Sequence, residues 1–168
     1  MFNLLKSINT KITKVVNLSL VVMLSLMTVF IFAQVIYRYI LQLPLSWSEE
    51  LSRYLFTGIT LFGAVVLYRS NGHINMSLLK DMIKNKRVQA AIDTLAQIFT
   101  LIFLVFIIYY GFPMTFRILN FNVVSPSMPW FKIGYVYFML PAAAVLSVFA
   151  VLETLISIIL SFGKKGAK

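Results

Sequence analysis

Long apolar runs divided by short polar punctuation organise this chain. They lie at about 15–36, 50–68, 90–112 and 133–160, and each is long enough to cross a bilayer, which takes about 20 apolar residues as helix. Little remains for a soluble domain. The pattern predicts an all-α polytopic membrane protein, a single membrane domain over residues 1–168 with four transmembrane helices. Two shorter segments carry helical periodicity of a different kind. Residues 2–14 place Leu5, Ile8, Ile12 and Val15 on one face, with Lys6, Thr10, Lys11 and Lys14 elsewhere, which suits an amphipathic helix in the membrane interface. A frayed tail that only supplies positive charge fits the same residues. Within 74–84, Ile74, Leu78 and Met82 recur every four residues among Lys80, Asp81 and Lys84, predicting a second surface helix and not a fifth span.

The punctuation predicts how the spans begin and end. Gln34, Tyr37, Arg38 and Tyr39 close the first with an interfacial collar. Pro44 marks a turn, and Ser46 with Glu49 has the spacing of a capping box, which starts the second helix near Trp47. Asn71-Gly72 breaks that helix. Gly111-Phe112-Pro113 is expected to end the third, and Ser125-Pro126, Pro129 and Trp130 to order the loop that follows. Pro141 sits inside the fourth, where neighbouring groups can satisfy the carbonyl it frees. The first apolar run is too long for a signal-peptide core and lacks a small-residue cleavage site, so it is expected to stay as a helix.

Composition agrees: 60% of the 168 residues are hydrophobic, and mean hydropathy is +0.90. The net charge of +10 suggests nucleic acid only until the charges are placed. Lys6, Lys11 and Lys14, the cluster Arg69, Lys80, Lys84, Lys86 and Arg87, and Lys164, Lys165 and Lys168 all fall on one side of the spans, eleven against four (Arg38, Arg53, Arg117 and Lys132) on the other. The positive-inside rule then puts both termini in the cytoplasm, where the basic side meets anionic lipid and not nucleic acid.

There is no cysteine and only one histidine, His73, so neither a disulfide nor a zinc or haem site is expected. The five carboxylates lie near segment ends and no glycine-rich phosphate loop is present, which argues against an enzyme and for no cofactor. Asp93 and Glu153 fit either a structural role or a proton relay, the former favoured by their distance from the midplane. A self-sufficient transporter usually builds its site from repeated halves with broken helices, and the chain shows no repeat.

What remains is the second helix. Ser46, Glu50, Arg53, Thr57, Thr60 and Ala64 recur at spacings of four and three, a polar and small-residue stripe on a helix otherwise of Leu, Phe, Ile, Val and Tyr. In lipid such residues mark the face that packs on protein. Glu49 and Glu50 both stand within reach of Arg53 for an intrahelical ion pair. Arg53 and Arg69, sixteen residues and ~24 Å apart, can each snorkel to its own interface. Snorkelling and helix-dipole anchoring alone would also explain the charges, but not the continuation through Thr57 and Thr60. Trp47, Arg38, Arg69, His73 and Trp130 are the expected membrane-interface anchors.

The run Trp47-Ser48-Glu49-Glu50-Leu51-Ser52-Arg53-Tyr54, then Gly63-Ala64, Arg69 and Gly72-His73-Ile74, resembles the small membrane subunit of tripartite ATP-independent periplasmic (TRAP) transporters. Ser125-Pro126, Pro129-Trp130, Tyr135 and Pro141 fit the same family's second outer loop and fourth helix. The resemblance implies a four-helix, non-catalytic subunit in a bacterial inner membrane. Its implied partners are a large, elevator-type permease that holds the substrate and sodium sites and a periplasmic substrate-binding protein, with uptake of organic anions such as C4-dicarboxylates or sialic acids. It makes Glu49, Glu50, Arg53, Thr57, Thr60 and Ala64 candidates for the subunit interface. The loop with Arg117, Ser125 and Lys132 becomes a candidate docking surface for the binding protein. The competing reading is a small exporter or channel acting alone as a homo-oligomer.

Overall fold

The computed structural model describes residues 2–70 and 86–165. It contains four helices: α1 (Phe2–Tyr39), α2 (Ser46–Ser70), α3 (Lys86–Asn120) and α4 (Gly134–Lys165). All four are long and apolar enough to span a membrane. The number of spans matches the apolar runs because a chain in hydrocarbon must satisfy every backbone group internally, and helix is the local way to do so. The expected surface helix at 74–84 and the anchor His73 lie outside the described residues, as does the side chain of Arg69.

Three boundaries differ from the sequence reading. α1 has no break near residue 14: the segment expected to be a separate surface helix is its first part, so α1 has 38 residues and a length of about 57 Å. α2 begins at Ser46 because the Leu45 carbonyl accepts from Ser48 N and Glu49 N (3.1 and 3.4 Å), which makes Leu45 the cap and puts Ser46 inside the first turn. The expected capping box is therefore not the device that starts this helix. α3 runs past Gly111-Phe112-Pro113 to Asn120, with Pro113 inside it. The residues after Pro113 stay mostly apolar, and stopping there would strand backbone groups, so the helix continues.

α1 and α2 form one hairpin and α3 and α4 another. α4 joins them, packing on α3, α2 and α1. Two small residues set the crossings. A Cβ at Gly58 of α2 would lie 3.2 Å from both Met23 of α1 and Met139 of α4, so three helices meet where that side chain is missing. A Cβ at Gly111 would lie 3.2 Å from Pro141, which lets the two helix-breaking residues of α3 and α4 nest. The packed centre is Leu104, Ala144 and Val151, flanked by Tyr68, Leu101 and Val148.

Both hairpin turns are on one end of the bundle. α1 ends where Gln42 takes φ 54° and Leu43 N–H reaches back to the Tyr37 carbonyl (3.1 Å). α3 ends in a Schellman motif: Asn122 has φ 50°, Val123 N–H donates to Ile118 and Asn122 N–H to Leu119. Asparagine tolerates this left-handed backbone better than most residues. Residues 123–133 then form a small hairpin, bridged at Val124 and Lys132. Pro126 and Pro129 each hold the second position of a turn, closed by Met128 N to Ser125 O (3.2 Å) and Phe131 N to Met128 O (2.9 Å). The prolines order this loop as expected, and Met128 is buried beneath it.

Candidate subunit-interface site

The head of α2 turns two faces in different directions. Its inner face carries Ser48, only 1% exposed, whose hydroxyl donates to the Phe30 carbonyl of α1 (3.0 Å); Ser52 below it donates to Ser48 O (2.8 Å). Small hydroxyls suit a tight helix contact in a setting where polar groups need partners. Trp47 closes the joint with its ring edge on Phe30, centroids 5.9 Å apart.

The two acidic residues divide their work. Glu49 pairs with Arg53 at 2.7 Å, and Gln34 of α1 reaches its other oxygen at 3.4 Å. Glu50 turns the other way. Its carboxylate accepts the Tyr54 hydroxyl (2.5 Å) and the backbone N–H of Ser127 (3.0 Å), and Tyr54 stacks on Phe131 with centroids 5.6 Å apart. Glu50 thus fastens the 123–133 hairpin to α2, where spacing alone left it a rival of Glu49 for Arg53.

The outer face of α2 has no cover among the described residues. Glu49, Arg53, Thr57, Thr60 and Ala64 are all exposed, the ion pair at 53% and 73% for its acidic and basic side chains. Thr57 and Thr60 satisfy their hydroxyls on the carbonyls of Arg53 (3.0 Å) and Phe56 (2.9 Å), so neither needs an outside donor. Two open grooves of about 300 Å³ flank the ion pair. One is lined by Gln34, Arg38, Pro44, Leu45, Ser46 and Glu49, the other by Ser46, Glu49, Glu50, Arg53, Pro126 and Ser127.

The expected anchors and loop residues separate. Arg38, Trp47 and Trp130 are exposed around this end, Trp130 to 78%. Arg117 is exposed but belongs to the last turn of α3, where a cation favours the helix's negative end. Lys132 is half-buried in the bridge to Val124. Ser125 is buried beneath the hairpin, so its side chain is not on the loop's surface.

Spacing did not reveal Ser48, Tyr54, Phe131 or Asn9. Tyr54 lies four residues after Glu50, a usable signal; the tie to Ser127 joins residues 77 positions apart and has none. At the opposite end, Asn9 donates to the Phe149 carbonyl (2.9 Å) and to Glu153 (2.5 Å), which gives Glu153 a structural partner. Tyr68 of α2 donates to Gln97 of α3. Among the described residues no group of His, Asp and Glu is arranged to hold a metal ion.

Four apolar helices, with polar groups spent on helix joints or left on one outer face, define a polytopic membrane component. Residues 27–160 match the family described as tripartite ATP-independent periplasmic transporters, DctQ component, and the chain belongs to it. Similar proteins include a TRAP transporter small permease protein of Haemophilus influenzae, 32% identical over 76 residues that make up 45% of this chain and 47% of that relative. The sialic acid TRAP transporter small permease protein SiaQ of Vibrio cholerae is 26% identical over 121 residues, 72% of this chain and 68% of SiaQ. The sialic acid TRAP transporter permease protein SiaT of Haemophilus influenzae is 25% identical over 121 residues, which are 72% of this chain but only 19% of SiaT. The chain therefore spans about half the length of the first of these relatives and a fifth of SiaT.

Proposed function

We propose that this chain is a non-catalytic small subunit that braces the stationary part of a large, elevator-type TRAP permease, and that the outer face of α2 is where the two meet. The observation that carries this reading is the uncovered run Glu49, Arg53, Thr57, Thr60 and Ala64 on an otherwise apolar helix. Gly63 beside it supports the same reading. Beyond its own stretch of helix, no described atom lies within 4 Å of where its Cβ would be, so packing among the described residues does not call for a glycine there. Small residues on a lipid-embedded face permit close approach of another helix, and the Glu49–Arg53 ion pair gives that approach a register. The alignment with SiaT adds weight, since a segment like this chain is there part of a polypeptide about five times its length.

A domain that slides across the bilayer needs another that resists tilting. Four helices widen the stationary part's lipid-facing perimeter, with Arg38, Trp47, Trp130, Arg69 and His73 as anchors and both termini in the cytoplasm. The hairpin fastened by Glu50 is a firm platform on the periplasmic side. Its exposed tip, with Arg117 and Lys132 nearby, suits transient docking of a substrate-binding protein. Sialic acid in two relatives' names favours an organic anion as the solute, with sodium as coupling ion.

The test is co-purification of tagged chain with the permease from native membranes, followed by uptake in proteoliposomes. Ala64→Trp and Thr60→Trp should strip the permease from the tagged chain; full recovery with both variants would overturn the assignment of this face. Saturable solute flux by the chain alone would replace the bracing role with a self-contained transporter.

A further inference from the structure

Asn9 is 2% exposed, although it lies ahead of the first apolar run, among the lysines of the N-terminal segment. Its amide nitrogen donates to the Phe149 carbonyl and to Glu153 Oε2, 140 and 144 residues away. Below it on the same side of α1, Val16 is also buried, and Thr13 donates to the Asn9 carbonyl at 2.8 Å. The face of α1 that docks here on α4 is therefore centred on an amide. An asparagine inside a helix is a poor helix former, and burying its amide costs free energy unless it is hydrogen-bonded. Both costs are met by one carboxylate and one carbonyl of α4.

This choice of face decides what the segment shows to its surroundings. Ile8 and Val15 are exposed on the flank, and Lys11 and Lys14 are exposed farther round the helix. No acidic residue occurs before Glu49, so nothing in the first 48 residues offsets those lysines. Glu153 meets the segment on its buried Asn9 face, and the exposed apolar flank with the lysines beside it complements an anionic lipid surface.

We propose that Asn9 and Glu153 form a polar lock that holds the first turns of α1 against α4, so that Lys11, Lys14 and the Ile8–Val15 flank make a fixed binding surface for anionic lipid. Asn9 and Glu153 are positioning residues; the lysines and the flank touch the lipid. The inference does not depend on the α2 face or on a permease partner.

The chain has no cysteine, so Ser7→Cys gives a single exposed site for a polarity-sensitive fluorophore. The labelled full chain is reconstituted in phosphatidylcholine vesicles with or without phosphatidylglycerol. A blue shift is expected in the anionic vesicles only, and Lys11→Gln with Lys14→Gln should abolish it. Asn9→Asp sets two carboxylates against each other and should also remove the shift. Adding Glu153→Gln should restore it, because the new amide donates to the new carboxylate. Equal spectra in the two vesicle types for the parent would overturn the lipid surface. An unchanged shift in Asn9→Asp, or failure of Glu153→Gln to restore it, would overturn the lock.

Discussion

The outer faces of α2 and α3 are both uncovered among the described residues, yet they are made of different chemistry. On α3 the exposed side chains include Phe99, Ile102, Phe103, Phe106, Tyr109 and Tyr110, large and mostly apolar. On α2 they include Glu49, Arg53, Thr57, Thr60 and Ala64, small or charged. Hydrocarbon suits the apolar bulk of the first set. It suits the second less well, where small side chains permit a close helix approach and a charged pair stands exposed. Exposure alone thus says little in a membrane chain; what is exposed separates a lipid face from a protein face.

The sharpest way to break this contrast is to add bulk to each face in turn. Ala64→Trp should lower recovery of the large permease by about tenfold or more, the equivalent of about 1.4 kcal/mol. Phe106→Trp on α3, an aromatic exchange in a lipid setting, should leave recovery unchanged. Equal losses at both positions, measured by quantitative mass spectrometry of the pull-down, would erase the distinction. A smaller effect is expected for Ser48→Val, which removes the buried hydroxyl between α2 and α1. Helix-to-helix hydrogen bonds in membranes average about 0.6 kcal/mol and reach about 1.7 kcal/mol. Unfolding in mixed micelles should show a loss in that range, with permease recovery falling only as far as folded chain is lost.

The contrast was partly legible in the sequence, and so was the fold. The four spans follow from apolar length, because a single apolar run in lipid satisfies its own backbone groups only as helix. Helix ends were harder to place. Gly111-Phe112-Pro113 has the composition of a stop, yet α3 continues through it because ending there would expose backbone groups. The stripe on α2 was visible as a period. It differs at one position near its head, since Glu50, placed on the stripe by spacing, faces the hairpin while Glu49 holds Arg53. That assignment depends on Ser127 and Phe131, which arrive from 77 residues or more along the chain, and no local pattern contains them. Residues 2–14 are helical as expected but run on into α1 without a break, and the ties from Asn9 to Phe149 and Glu153 have no local signal either.

Exchanging the two acids sharpens the comparison at its finest grain. Glu50→Ala removes the acceptor for Ser127 N–H and Tyr54, so limited proteolysis should cut within 123–133 faster than in the parent, with permease recovery little changed. Glu49→Ala should do the reverse, sparing the hairpin and weakening permease recovery, because it leaves Arg53 without its partner on the proposed contact face.

The smallest effect belongs to Glu49→Gln in the isolated chain. The pair is an exposed i,i+4 contact, a geometry that contributes about 0.3–0.5 kcal/mol in water. Chain stability should move by no more than that, within the error of most unfolding curves. Inside a complex the same pair would be shielded from water and from salt, where charges interact more strongly. Loss of permease recovery by Glu49→Gln, set against its near-silent stability, would therefore show a pair that works between chains. A stability loss as large as that of Ser48→Val would instead make the pair an internal prop of α2, and the outer face would lose its charged half.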